Sequence, residues 1–208
     1  MSASTPAEHT AQDDLRMMRE LAEEGRNRPL LGGREFVLFG CAIALASLLH
    51  AAILERLLPL PPMALAVVWF AAMMIAVVLS RFMRPAGARP TTANRVEMEV
   101  WRAGGYVIGA LALSILTYAL IDQTPRGFFL FTLLPPVVFG VYAIAMAASS
   151  AAARDTTLRK YAVVSFAFLV TTTLLAGSAA QYLPMAIGAI LVSILPGLEL
   201  IRRERAGG

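Results

Sequence analysis

The chain is predicted to be all-α: a bundle of six transmembrane helices with both termini on the cytoplasmic side, preceded by a short amphipathic helix in a cytosolic tail. Three observations predict it. Of 208 residues, 58% are hydrophobic and only 15% are charged, whereas soluble domains carry about 25% charged residues. The charges fall in short blocks, and the runs between them reach the ~20 apolar residues that cross a bilayer's hydrocarbon core. Sixteen of the eighteen Lys and Arg lie in alternate connectors, and that asymmetry sets orientation in membrane proteins.

The tail, residues 1–34, is hydrophilic. Thr10 followed by Asp13 is an N-cap with an acidic partner, and Gly25 is a helix stop, so a helix is expected over 10–25. Leu15, Met18, Leu21 and Ala22 make its narrow apolar stripe at helical spacing. Such a stripe suits docking on the membrane, on the protein's own cytosolic loops or on a partner; the plainer alternative is a solvated tail. A cleaved signal peptide is not expected, because seven acidic residues precede the first apolar run.

The six spans are expected near residues 36–54, 63–80, 103–121, 127–149, 161–179 and 184–201, within a transmembrane domain of 35–201. Pro61-Pro62 suits the start of the second span. Residues 81–102 form the longest connector, with Arg81, Arg84, Arg89, Arg95 and Arg102, and the stretch 97–102 is expected to open the third helix. Residues 161–198 hold no charge. That is too long for one crossing, so the turn residues between Gly177 and Pro184 are expected to divide it. A short cytoplasmic tail, 202–208, closes the chain. The basic excess of +4 is thus explained by topology, and a nucleic-acid partner is not expected.

Few residues at membrane depth could carry chemistry. Ionisable groups there are costly and default to functional hypotheses. His50 is the one well inside a span. A neutral imidazole bonded to a neighbouring carbonyl or hydroxyl is the plain reading; proton sensing is the functional one. A metal or haem ligand would need a second ligand, and His9 and Cys41 are poorly placed to supply it. Pro135-Pro136 removes the amide donors that would meet the carbonyls of Phe131 and Thr132. Bare carbonyls in hydrocarbon cost several kcal/mol, so other groups must satisfy them, either in a packed kink or at a hinge beside a cavity. Gly105 and Gly109 form a GxxxG that lets backbones approach, within the monomer or across a homo-oligomer seam. Thr171, Thr172 and Thr173 are expected to bond their own helix.

No phosphate-cradling glycine loop, HExxH, CxxC or GxSxG is present. An enzyme is therefore not expected, and neither is a cofactor or metal. The expected function is that of a sensor, regulator or complex subunit acting through its cytosolic face, with a cytosolic protein as partner beside the lipid bilayer. That face would comprise residues 10–34 with Arg84, Arg89 and Arg95. The alternative is a small transporter or channel with a cavity near Pro135-Pro136 and His50.

The order of several features resembles small six-span bacterial inner-membrane proteins of unassigned function. The matching residues are Pro29-Leu-Leu-Gly-Gly33, Asn94-Arg95 with Trp101, Pro135-Pro136, Tyr182-Leu183, and Pro196-Gly197 followed by arginines. The resemblance implies an inner-membrane location and a gene paired with a winged-helix transcriptional regulator. It implies no active site.

Overall fold

A computed structural model describes residues 16–17, 32–61, 63–83, 92–122, 124–153 and 156–206. Among these residues all regular structure is helical. The elements are α1 (Gly33–Leu54), α2 (Met63–Met83), α3 (Thr92–Asp122), a short α4 (Pro125–Phe129) running through a 3-10 turn (Leu130–Leu133) into α5 (Leu134–Ala153), and α6 (Thr157–Leu174). A second 3-10 turn (Ala179–Gln181) then leads into α7 (Tyr182–Ala189), a π-helical stretch (Ile190–Ile194) and α8 (Leu195–Ala206). Of the tail helix expected over 10–25, Arg16 and Met17 are helical, and the rest, with Leu15, Met18 and Leu21, lies outside the described residues. Arg84 and Arg89 do too.

Among the described residues, five helices are long and apolar enough to cross a membrane: α1, α2, Asn94–Asp122, Arg126–Ala153 and Ala179–Ala206, with mean hydropathy from 1.8 to 2.5. The sixth long helix, α6, falls outside that group. It has 18 residues, with Arg159 and Lys160 near its start, and Ser165 and three threonines further along. The third helix takes in residues 97–102 as expected and begins earlier, at Thr92.

Contacts between helices gather their ends into two poles. At the first, the start of α1 meets α8 through Gly33 and Gly197. Phe36 meets Trp101 of α3 edge-on at 4.9 Å, and Lys160 of α6 reaches Glu199 of α8. At the second pole, His50 of α1 meets Trp69 of α2 and Tyr182 of α7, and Gln181 meets Thr132 and Thr172. Helix α6 therefore runs the full distance between poles.

The helices follow one another side by side. α2 packs on α1, α1 on the α7–α8 helix, that helix on α6, α6 on α5, and α5 on α3. The Phe36–Trp101 contact then brings α3 back to α1. Phe139, Met146, Leu158, Met185 and Val192 fill the centre. α2 fully buries only Ala76 and Ser80, with Trp69 and Met73 half-buried against the core, so much of its surface faces outward.

Glycine sets the closest seam. A Cβ on Gly197 would lie 2.7 Å from the Gly33 carbonyl, and one on Gly40 would lie 2.7 Å from Ile194. The backbones of α1 and the last helix touch because nothing projects between them. Pro196 explains the π-helical stretch just before it. Its ring excludes the carbonyl four residues back, and a widened turn accommodates that.

Candidate functional site

At the second pole, two structural gaps in the backbone are closed by one side chain. Pro135 and Pro136 occupy the second and third positions of α5, where missing amides matter least to the helix they begin. The carbonyls before them still need donors. The Leu134 amide donates to the Phe131 carbonyl. Gln181, fully buried, donates from Nε2 to the Thr132 carbonyl at 2.7 Å and to the Thr172 carbonyl at 2.9 Å. Thr172 lacks a helical donor because the Ala176 amide turns instead to Thr173. Gln181 therefore ties α5 to α6 through both N–H bonds of one amide. Its Oε1 is buried without a partner.

The next residue, Tyr182, stacks on His50 with centroids 3.6 Å apart. Trp69 Nε1 donates to His50 Nδ1 at 2.9 Å. An indole nitrogen can only donate, so Nδ1 must be the bare acceptor and the imidazole proton belongs on Nε2. The partner of His50 is thus an indole, in place of the expected carbonyl or hydroxyl. Pro135-Pro136 and His50 do share a pole, joined through the neighbouring residues Gln181 and Tyr182.

Other polar groups in the apolar layer bond locally. Ser47 and Ser165 each donate to the carbonyl four residues back. Thr171, Thr172 and Thr173 do the same, as their type favours. Ser193, in the π-helical stretch, donates to the Phe36 carbonyl at 2.7 Å, which leaves its oxygen to accept from the Tyr142 hydroxyl at 3.2 Å. Buried Ser149 is the exception, with no partner for its hydroxyl.

The first pole differs. Glu97 is buried at 5% exposure, packed under Gly32 at the start of α1, and its Oε1 has no hydrogen-bond partner. The carboxylate of Glu35 acts on it electrostatically. One turn on, Trp101 Nε1 is also buried and unpartnered. Asn94, Glu97, Trp101 and Gly104 share a stripe at helical spacing and are all buried or half-buried, whereas Arg95 and Glu99 between them are exposed. A buried polar stripe on a helix otherwise marked by arginines was the available signal for Glu97, and its charge alone suggests only an interfacial residue.

Gly105 and Gly109 point away from the bundle. A Cβ at either would meet nothing within 4 Å, whereas Gly104 is held against Val141. Among the described residues no three of His, Cys, Asp and Glu come together as a metal site. A recess of 320 Å³ does open at the first pole, lined by Ala147, Ser150, Ala151, Thr156 and Arg159.

No protein-family model, no curated protein and no solved structure matches the chain.

Proposed function

We propose that this chain is a six-span inner-membrane protein with both ends in the cytoplasm. On this reading it works without catalysis, as a sensor, regulator or subunit of a complex, through the first pole. The observation that carries this reading is the unequal treatment of buried polar groups. Around the apolar layer and the second pole, the hydroxyls, His50 and the Gln181 N–H donors are engaged with one another or with backbone, the Ser149 hydroxyl and Gln181 Oε1 excepted. At the first pole a buried carboxylate oxygen and an indole N–H stay unpaired. Interiors rarely tolerate such groups without a reason.

The arginine count supports the orientation. Among the described residues, Arg34, Arg95, Arg102, Arg159, Lys160, Arg202 and Arg203 lie toward the first pole, and Arg56 and Arg126 toward the second. The path of α6 supports the sixth crossing. At ~1.5 Å per residue its 18 residues span about 27 Å, close to the ~30 Å of a hydrocarbon core. The outward-facing Gly105 and Gly109 favour a homo-oligomer seam over packing within the monomer. The resemblance to small six-span bacterial proteins agrees with regulation and adds no mechanism.

The test separates this reading from a transporter. Deleting residues 1–30 should abolish the cellular phenotype and remove cytosolic partners from affinity purifications, while Pro135→Ala leaves both intact. The reverse pattern would favour a pathway beside Pro135-Pro136 and His50.

A further inference from the structure

The recess at the first pole has a chemistry of its own. Ala147 and Ala151 belong to the last turns of α5, and Thr156 and Arg159 to the start of α6. Alanines leave the space that larger side chains would fill. Thr156 makes no side-chain capping bond to α6. None of the ion pairs between described residues involves Arg159, whereas its neighbour Lys160 is paired with Glu199 and Arg203 reaches Thr157. One wall of the recess thus carries a guanidinium, whose fork of donors matches phosphate oxygens.

What lies one turn deeper points to the occupant. Three residues before Ala147 is Ile144, 65% exposed, and four after Arg159 is Val163, 64% exposed. Helical spacing places each below its recess-lining neighbour on the same outward face. A recess with one cationic wall therefore opens above exposed apolar residues of both α5 and α6. A free phosphate has no use for that surface; a phospholipid matches both parts. Basic pockets between helices on the cytoplasmic side have this electrostatic logic.

We propose that the α5–α6 recess binds the headgroup of an anionic phospholipid, with Arg159 on the phosphate and the acyl chains against Ile144 and Val163. This site rests on the orientation proposed above, which puts the recess at the cytoplasmic leaflet.

Native mass spectrometry of the full-length protein, titrated with phosphatidylglycerol or phosphatidylcholine of identical chains, tests it. Phosphatidylglycerol should bind about fivefold tighter, the scale expected for one arginine near a membrane surface. Arg159→Gln should erase that preference, and Ala147→Leu, which fills the recess, should weaken both lipids. Arg202→Gln, removing an equal charge from the C-terminal end, should change nothing. If Ala147→Leu fails to fold, Arg159→Gln decides alone. A preference that survives Arg159→Gln, or full displacement of the lipid by equimolar inorganic phosphate, overturns the proposal. Labelling of Thr156→Cys in a Cys41→Ser background keeps the two readings apart. Reaction with an impermeant reagent from outside intact cells defeats the orientation. Protection from it, together with no lipid preference, defeats the lipid site alone.

Discussion

Gln181 has two N–H donors, and both meet carbonyls that would otherwise be bare. One carbonyl is orphaned by Pro136 and the other by the tightened end of α6. A buried unsatisfied carbonyl costs ~1–3 kcal/mol, so Gln181→Leu should destabilise the folded protein by about 2–5 kcal/mol, read as a lowered thermal midpoint in detergent. Gln181→Glu keeps the shape but offers at most one donor, when protonated, so at least one of the two carbonyls is left bare and the variant should also be destabilised. His50 and Trp69 invite a mutant cycle. His50→Phe keeps a ring to stack on Tyr182 but strands the Trp69 N–H, and Trp69→Phe strands Nδ1. Each should cost about 1–3 kcal/mol, and the double variant clearly less than their sum. An additive double variant would mean that the 2.9 Å bond contributes little.

At the scale of elements, the glycines divide by what lies opposite them. Gly197→Ala puts a methyl against the Gly33 backbone at 2.7 Å. It should lower stability by about 1–3 kcal/mol. Gly105→Ala and Gly109→Ala meet open space and should leave monomer stability unchanged or raised by up to ~1 kcal/mol through helix propensity. If these two glycines form a seam between copies, Gly105→Ile should reduce chemical cross-linking of the protein in membranes while leaving its melting unaffected. The sequence showed that a GxxxG was present, but not which way it faced, because facing depends on which helix packs where. The proline pair was more legible. Its geometry requires foreign donors whatever the fold, so the need was readable from Pro135-Pro136. That Gln181 answers it, 45 residues later, was not, since a glutamine between Ala180 and Tyr182 reads as a turn residue. The break of one apolar run into α4, a 3-10 turn and α5 follows from the same pair.

For the whole molecule, hydropathy and charge spacing were enough to anticipate an all-helical chain and most helix positions. Glu97 was not anticipated, because its burial depends on Gly32 and α1 closing over it. The sixth crossing is where sequence and structure pull apart. α6 carries Arg159, Lys160 and several hydroxyls that lower its apolar content. Yet it runs from Thr157, bonded by Arg203, to Thr172, bonded by Gln181, beside α5 and α7. Its hydroxyls at Ser165 and Thr171 to Thr173 are bonded within its own helix, so they add little polarity to present to lipid. On the six-span reading proposed above, a helix with this path crosses whatever layer its neighbours cross.

Reporter fusions measure that directly. A phosphatase active only outside the cytoplasm, fused in turn after residues 124, 156, 178 and 208, should be active, silent, active and silent. A fusion silent after 178 and active after 208 would leave α6 on one side of the membrane, make the crossings odd in number, and contradict the account.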